Sequence, residues 1–320
     1  MNEIKKFAYY DNMNIDWKFA SPDIWAPFHR EHRGALQQSW AYGEALMSLG
    51  IRVERAVFWN EGRLIGMAQF MCRRFLGYVS MASCTRGPVW HPDVTPAQRA
   101  EIYRLLKRSL PLPPFRVMLI SPDETAAQLA PEALKGFSRV MTGYATAYLD
   151  LSLPLEVLKS NMEGKWRNRL NKVLTHDKLQ VHAVASLKRS TWLLGKEADQ
   201  REARQFHGLP TDFVPAYIEQ CASPQQAFVV VYAELGKESV AGMLFLIHGQ
   251  VASYHMGWAN DEGRALNAHN ALLWKAMAYL KTQGVSQLDL GGVNTHDLPG
   301  ISRFKLGAGG HVVTLAGTFF

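Results

Sequence analysis

The apolar residues of this chain change period in one order, and the order runs twice. Residues 53–59 and 64–72 alternate like strands about a polar Asn60-Glu61-Gly62 turn, a hairpin signature. Residues 228–235 and 239–248 do the same about Gly236-Lys237-Glu238. Inside the hairpins, Arg63-Leu64-Ile65-Gly66-Met67-Ala68-Gln69-Phe70 recurs as Ser239-Val240-Ala241-Gly242-Met243-Leu244-Phe245-Leu246, so that Gly66 and Gly242 stand 176 positions apart. Each hairpin leads into a further strand-like run (77–83 and 251–259), a run of helical period (96–108 and 265–282, the second stopped by Gly284) and a short strand (116–120 and 286–290). A repeat of this length is a domain rather than a turn of a solenoid. The pattern therefore predicts an α/β (mixed α+β) chain of two similar domains, each a mixed central sheet flanked by helices.

A strand at 144–151, after which Pro154 opens a stretch of helical period, sets the boundary near residue 145 and divides the chain into 1–145 and 146–320. Behind a loose leader, the spacing predicts a helix at 36–49 stopped by Gly50. It predicts a helical stretch at 155–176 broken at Gly164, a strand at 179–184, and helices at 187–206 and 212–221. A short helix around 301–306 and a last strand at 312–316 follow.

Of 320 residues, 48% are apolar, enough to bury two ordinary cores. No apolar run approaches the ~20 residues of a membrane span, and the first residues carry no signal-like apolar core. No transmembrane segment is expected, and the cytoplasm is the expected location. The formal charge of +7 favours anionic partners: nucleic acid, phosphorylated carriers, or an acidic membrane surface touched peripherally. Cys72, Cys84 and Cys221 cannot all pair and match no zinc or redox spacing, so they are expected in the cores. His248, His255 and His269 fall on separate elements, and no metal site is expected.

Two regions carry candidate chemistry. On a helix beginning at Gly164, Lys165, Arg169 and Lys172 share one face while Trp166, Leu170 and Val173 share the neighbouring one, and Arg167 adds a further cation. This is either an ordinary amphipathic helix with a solvated face or a phosphate-binding surface, since arginine matches phosphate geometry and tryptophan offers a stacking plane. In the second region, Leu288-Asp289-Leu290-Gly291-Gly292 puts a carboxylate near a strand end, followed by Phe304-Lys305-Leu306-Gly307-Ala308-Gly309-Gly310. Two readings stand for each: Lys305 steadies an oxyanion or binds phosphate, or is a surface lysine on a short connecting helix, and Asp289 serves the chemistry or caps a turn.

Taken in order, Gln38-Ser39-Trp40, Arg86-Gly87-Pro88-Val89, Lys165-Trp166-Arg167-Asn168-Arg169, Asp289-Leu290-Gly291-Gly292 and the Phe304–Gly310 segment resemble the Fem-type peptidoglycan aminoacyltransferases over about residues 36–317. The resemblance implies two tandem acetyltransferase-like (GNAT) domains, the first on the acceptor side and the second catalytic. It implies transfer of an aminoacyl group from aminoacyl-tRNA to an amine on a phosphate-bearing peptidoglycan precursor, without a cofactor. By that resemblance Lys305 sits by the reacting carbonyl as oxyanion or leaving-group stabiliser, with Phe304 packed nearby, and Asp289 removes a proton or orients the amine. Arg167, Arg169 and Lys172, on the same helix as Lys165, would hold phosphates, and Trp40 and Arg86 would bind substrate from the first domain.

The chain departs from the wider pattern in two places. It has no long charged heptad pair, so the coiled-coil arm of some Fem proteins is not expected. Ordinary GNAT enzymes seat the coenzyme A pyrophosphate on a glycine-rich loop before a helix. Here that place reads Asp261-Glu262-Gly263-Arg264-Ala265-Leu266-Asn267, with one glycine behind two acids, and His91-Pro92-Asp93-Val94-Thr95-Pro96 in the first half. Two rivals remain on sequence alone: an acyl-CoA or acyl-carrier N-acyltransferase acting on a small amine, and a non-catalytic binder of anionic glycan precursors or RNA.

Overall fold

The computed structural model describes residues 13–75, 78–113, 115–204, 209–294 and 299–320. The chain forms two units, Met1–Gly143 with Leu315–Phe320, and Tyr144–Thr314. The first holds β1 (Asn14–Asp16), α1 (Pro22–Glu31), α2 (Trp40–Ser48), β2 (Arg52–Asn60), β3 (Arg63–Phe75), β4 (Val79–Thr85), β5 (Val89–Trp90), α3 (Pro96–Ser109), β6 (Arg116–Ser121) and β7 (Arg139–Met141). The second holds β8 (Ala145–Asp150), α4 (Leu155–Ser160), α5 (Gly164–Leu174), β9 (Leu179–Val184), α6 (Leu187–Arg204), α7 (Phe213–Glu219), β10 (Phe228–Leu235), β11 (Glu238–His248), β12 (Val251–Ala259), α8 (Asp261–Ala265), α9 (Ala268–Thr282), β13 (Gln287–Gly292), α10 (Pro299–Gly307) and β14 (His311–Thr314). The last strand, β15 (Thr318–Phe319), returns to the first unit.

The repeat in sequence is a repeat in structure. In each unit an antiparallel hairpin (β2-β3, β10-β11) continues into a third antiparallel strand (β4, β12). A crossover helix (α3, α9) then leads to a strand parallel to it (β6, β13). The repeated glycines are required by packing. A Cβ on Gly66 would lie 2.9 Å from the Trp90 ring and 2.9 Å from the Val89 carbonyl oxygen, and one on Gly242 would lie 3.0 Å from the Trp192 ring. Each glycine lets an indole lie directly on the strand.

The sheets run β1-β2-β3-β4-β6-β15-β7, with β5 beside β3, and β14-β8-β13-β12-β11-β10-β9. In both, the strand after the parallel pair is inserted from elsewhere in the chain: β15 between β6 and β7, and β8 between β13 and β14. β8 follows the first repeat and β15 follows the second, so each repeat supplies the closing strand of the other unit's sheet. This places 315–320 with the first unit, where the sequence puts them in 146–320; Phe319 pairs with Ile120 and Arg139.

One face of the second sheet is covered by α5 and α9, whose Trp166, Leu170, Val173, Leu272, Ala276 and Leu280 share a core with Val229, Val231, Met243 and Phe245. The first core joins Phe58, Phe70 and Ile120 to Ile102, Tyr103 and Leu106 of α3. That helix opens with a capping box: Gln98 N–H donates to Thr95 Oγ1 at 3.3 Å, and Thr95 N–H donates to Gln98 Oε1 at 2.9 Å.

Some expectations shift. The helix read at 36–49 is a single 3-10 turn, Leu36–Gln38, and then α2, whose start Ser39 caps by accepting from the Tyr42 N–H. The leader holds α1, hidden by Pro27 inside it, with Trp25 and Phe28 buried. Gly77 of the strand read at 77–83, and residues 205 and 206 of the helix read at 187–206, lie outside the described residues. Cys72 and Cys84 are buried and Cys221 half-buried, all as free thiols.

Candidate active site

The two parallel strand pairs differ in one decisive respect. In the first unit β4 and β6 stay paired over six positions, from Ser80–Arg116 to Thr85–Ser121. In the second, β12 and β13 pair only at Val251–Gln287, Ala252–Leu288 and Ser253–Asp289, and then part. β13 stays paired with β8 on its other side, from Gln287–Asp150 to Gly292–Thr146, with a register shift between Asp289 and Gly292. Gly291 takes a φ of +73°, a left-handed conformation that favours glycine. The Asp289 carboxylate holds this turn: Oδ1 accepts from the Gly291 N–H at 2.8 Å and from Thr146 Oγ1 at 2.6 Å.

The parting of the strands leaves a cavity of about 340 Å³, lined by Tyr254, Gly257, Trp258, His269, Phe304 and Lys305 among others. Lys305 enters from α10, is 7% exposed, and donates from Nζ to the Gly292 carbonyl oxygen at 2.7 Å. Burial lowers its pKa from 10.5 to about 8, against the opposing pull of the Asp289 charge. An ammonium of this kind gives up its proton far more readily than a solvated lysine while remaining largely charged at neutrality.

Around it the walls are aromatic. The Phe304 ring lies 5.7 Å from that of Trp166 and 6.2 Å from that of His269, which ties α10 to α5 and α9. His269 Nε2 is 3.1 Å from the Trp258 carbonyl oxygen, which can only accept, so that nitrogen carries the proton, and burial lowers the imidazole pKa. Tyr254 has its phenol pushed up by burial and then by the Glu197 charge, so it remains a neutral donor. A Cβ on Gly257 would come within 2.6 Å of the Tyr254 hydroxyl, so glycine leaves the room that hydroxyl occupies.

Sequence reasoning missed Tyr254, Gly257 and His269. β12 carries a bulge at His255: Tyr254 pairs with Phe245 and Met256 with Leu244. Strict alternation puts Tyr254 and Gly257 on opposite faces, whereas the bulge brings them to the same one.

The remaining sequence candidates divide. Lys305, Phe304 and Asp289 converge at the split. On α5, Lys165, Arg169 and Lys172 are exposed and Trp166, Leu170 and Val173 buried, with Arg167 half-buried and donating to the Ser160 carbonyl at 3.1 Å. Trp40 and Arg86 belong to the first unit. The Arg55 guanidinium stacks 3.7 Å from the Trp40 ring centroid, and buried Arg86 is paired with Asp123 at 2.7 Å. Both are tied into structural contacts there.

At the place of a pyrophosphate loop the Gly263 N–H is already engaged. Asn260 Oδ1 takes the Gly263 N–H at 2.8 Å, and the Arg264 and Leu266 N–H groups donate to Asn260 and Glu262 carbonyls within the α8 turn. Gly263 serves packing, since a Cβ there would meet the Val240 carbonyl oxygen at 2.3 Å. Among the described residues there is no cluster of three metal-ligating side chains, and no helix is long and apolar enough to cross a membrane.

Residues 160–306 match the family model described as an acetyltransferase (GNAT) domain. This match lies within the second unit, which is thus similar to a GNAT-type acyltransferase domain, and the chain has the fold of two such units in tandem. Its fold is that of the Fem-type enzymes. The crystal structure of FemX superposes with a TM-score of 0.80 at 14% identity, over 95% of this chain and 96% of that one. The chain is also similar to the C-terminal domain of a putative lysylphosphatidylglycerol synthetase from Agrobacterium fabrum (TM-score 0.56, 13% identity, 93% of this chain and 92% of that one). A tandem GNAT protein from the clavulanic acid biosynthesis pathway gives a TM-score of 0.53 at 12% identity, over 96% of this chain and 98% of that one. No curated protein sequence matches the chain.

Proposed function

We propose that the chain moves an aminoacyl group from aminoacyl-tRNA to an amine of a phosphate-bearing peptidoglycan precursor or similar acceptor. The observation that carries this reading is the split between β12 and β13, which ends on a buried lysine of lowered pKa, while at the neighbouring turn the Gly263 N–H is held by the Asn260 side chain. A GNAT-type cleft without a pyrophosphate seat supports an acyl donor other than acetyl-CoA. The acidic pair Asp261 and Glu262 at the start of α8 adds repulsion toward such an anion.

In this reading the ester carbonyl of the donor enters the cleft beside Lys305. The acceptor amine attacks, a C–N bond forms, and the carbonyl oxygen takes the negative charge, which the Lys305 ammonium stabilises. The ester C–O bond then breaks. Lys305 gives a proton to the departing ribose oxygen and regains one from the amine nitrogen, so no proton is gained or lost overall. Asp289, with Oδ1 already accepting two hydrogen bonds, is a positioning residue: it holds the Gly291 turn and favours the charged lysine. Phe304 and Trp166 fix the helix that carries Lys305. Lys165, Arg167, Arg169 and Lys172 hold phosphates of the donor or acceptor.

The test is mass spectrometry of products from a pool of charged tRNAs and nucleotide- or lipid-linked peptidoglycan precursors, with a parallel reaction on acyl-CoA. The reading expects an acceptor heavier by one aminoacyl residue, dependent on tRNA. Thiol release from acyl-CoA with no tRNA-dependent product would replace it with the acyl-CoA alternative.

A further inference from the structure

At one end of the first sheet, well apart in sequence from the residues assigned above, three aromatic rings stand in water beside unpaired arginines. Phe75 is 47% exposed, Tyr78 62% and Phe115 77%. Pairing brings them together: Phe75 is opposite Val79, the Tyr78 N–H donates to the Phe75 carbonyl at 3.2 Å, and the Ser80 N–H donates to the Phe115 carbonyl at 3.0 Å. In the adjoining row, Arg74 and Arg116 flank Ser80 on either side.

Arg73 and Arg74 are exposed and make no hydrogen bond or ion pair among the described residues. Among the described residues Arg116 donates to the Leu112 and Arg108 carbonyls and has no carboxylate partner. Beside Arg73 and Arg74 lies a hollow of about 530 Å³, which they line together with Phe75 and with Arg52, itself paired with Glu54. Exposed rings cost hydration free energy unless something covers them, and isolated cations gather anions.

We propose that this edge, formed by the ends of β3 and α3 and the starts of β4 and β6, docks the protein peripherally on an anionic lipid bilayer. Phe75, Tyr78 and Phe115 enter the headgroup boundary while Arg73, Arg74 and Arg116 lie at the level of the lipid phosphates. The hollow has room for one headgroup, whereas a single-stranded nucleic acid needs a basic groove running past several successive bases. The inference stands on this surface alone and does not depend on the acyl donor.

Flotation of the full chain with vesicles tests it, comparing bilayers in which roughly a third of the lipid is phosphatidylglycerol with bilayers of pure phosphatidylcholine. The wild type floats with the anionic vesicles and not with the neutral ones. Arg73→Gln with Arg74→Gln lowers the partition coefficient about 30-fold, the equivalent of about 1 kcal/mol for each basic side chain near the surface. Phe115→Ser lowers it as well, at low and high salt alike. A charge-matched control, Lys178→Gln with Lys188→Gln at exposed positions of the second unit, keeps it within about threefold. Thermal unfolding of each variant separates loss of docking from loss of fold. The proposal is overturned by a wild type that stays out of anionic vesicles, by equal losses in the arginine and control variants, or by arginine-dependent binding of a single-stranded oligoribonucleotide without vesicle binding.

Discussion

Lys305 Nζ lies 2.7 Å from the carbonyl oxygen of Gly292, the residue at which β13 has left β12 while still paired with β8. The lysine is thereby held at the point where the sheet opens. Its lowered pKa, a consequence first of burial, means that the charge works in a partly desolvated site, where it acts more strongly on a developing oxyanion than it would in water.

The pH profile follows. Lys305 is protonated below about 8 and neutral above, so kcat/KM should fall as pH rises through about 8. Lys305→Arg keeps a cation at all accessible pH and should remove that limb, at a lower plateau because the guanidinium is larger and planar. Stability moves the other way. The folded pKa is below the unfolded value of 10.5, so the unfolded chain binds the extra proton between about 8 and 10.5. The wild type should therefore gain stability relative to Lys305→Met across that window, as read by urea denaturation at successive pH values.

Asp289→Asn separates positioning from proton abstraction. The amide oxygen can still accept from Thr146 and Gly291, while loss of the carboxylate charge removes the one influence that raises the Lys305 pKa. The expected result is a basic limb shifted below 8 with kcat at its plateau reduced less than about tenfold. A loss of about 10²–10⁴ with no shift of the limb would instead make Asp289 the base.

The paired glycines test the repeat as a packing device. Gly66→Ala and Gly242→Ala should each destabilise their unit by about 1–3 kcal/mol. Gly66→Ala should cost more, since the new methyl meets the Val89 carbonyl as well as two rings, whereas at Gly242 it meets only side chains that can shift. Denaturant midpoints of the two variants give the comparison.

Neutralising the exposed face of α5 should act on binding and leave the chemistry intact. Lys165→Gln, Arg169→Gln and Lys172→Gln together are expected to raise KM for the phosphate-bearing substrate about tenfold or more and to flatten its salt dependence, with kcat nearly unchanged. Steady-state kinetics at two ionic strengths read both effects.

What could be read from the sequence was whatever depends on local period. The doubled hairpin showed in the spacing of Gly66 and Gly242, and the face of α5 in the alternation of Lys165, Arg169 and Lys172 with Trp166, Leu170 and Val173. What depends on distant pairing was hidden. The closing strands β8 and β15 join the opposite unit from the repeat they follow, and Thr146 meets Asp289 across 143 positions of chain. The bulge at His255 shifts the facing of β12 halfway along, so Tyr254 and Gly257 could not be placed on one wall of the cleft by counting alternate residues.

The single-turnover rate of aminoacyl transfer from charged tRNA, measured for the wild type and for Lys305→Met with the fold of each verified by circular dichroism, bears most directly on the account. A loss of about 10² or more in the chemical step, with donor binding retained, is the predicted outcome. Equal rates in the two proteins would contradict it.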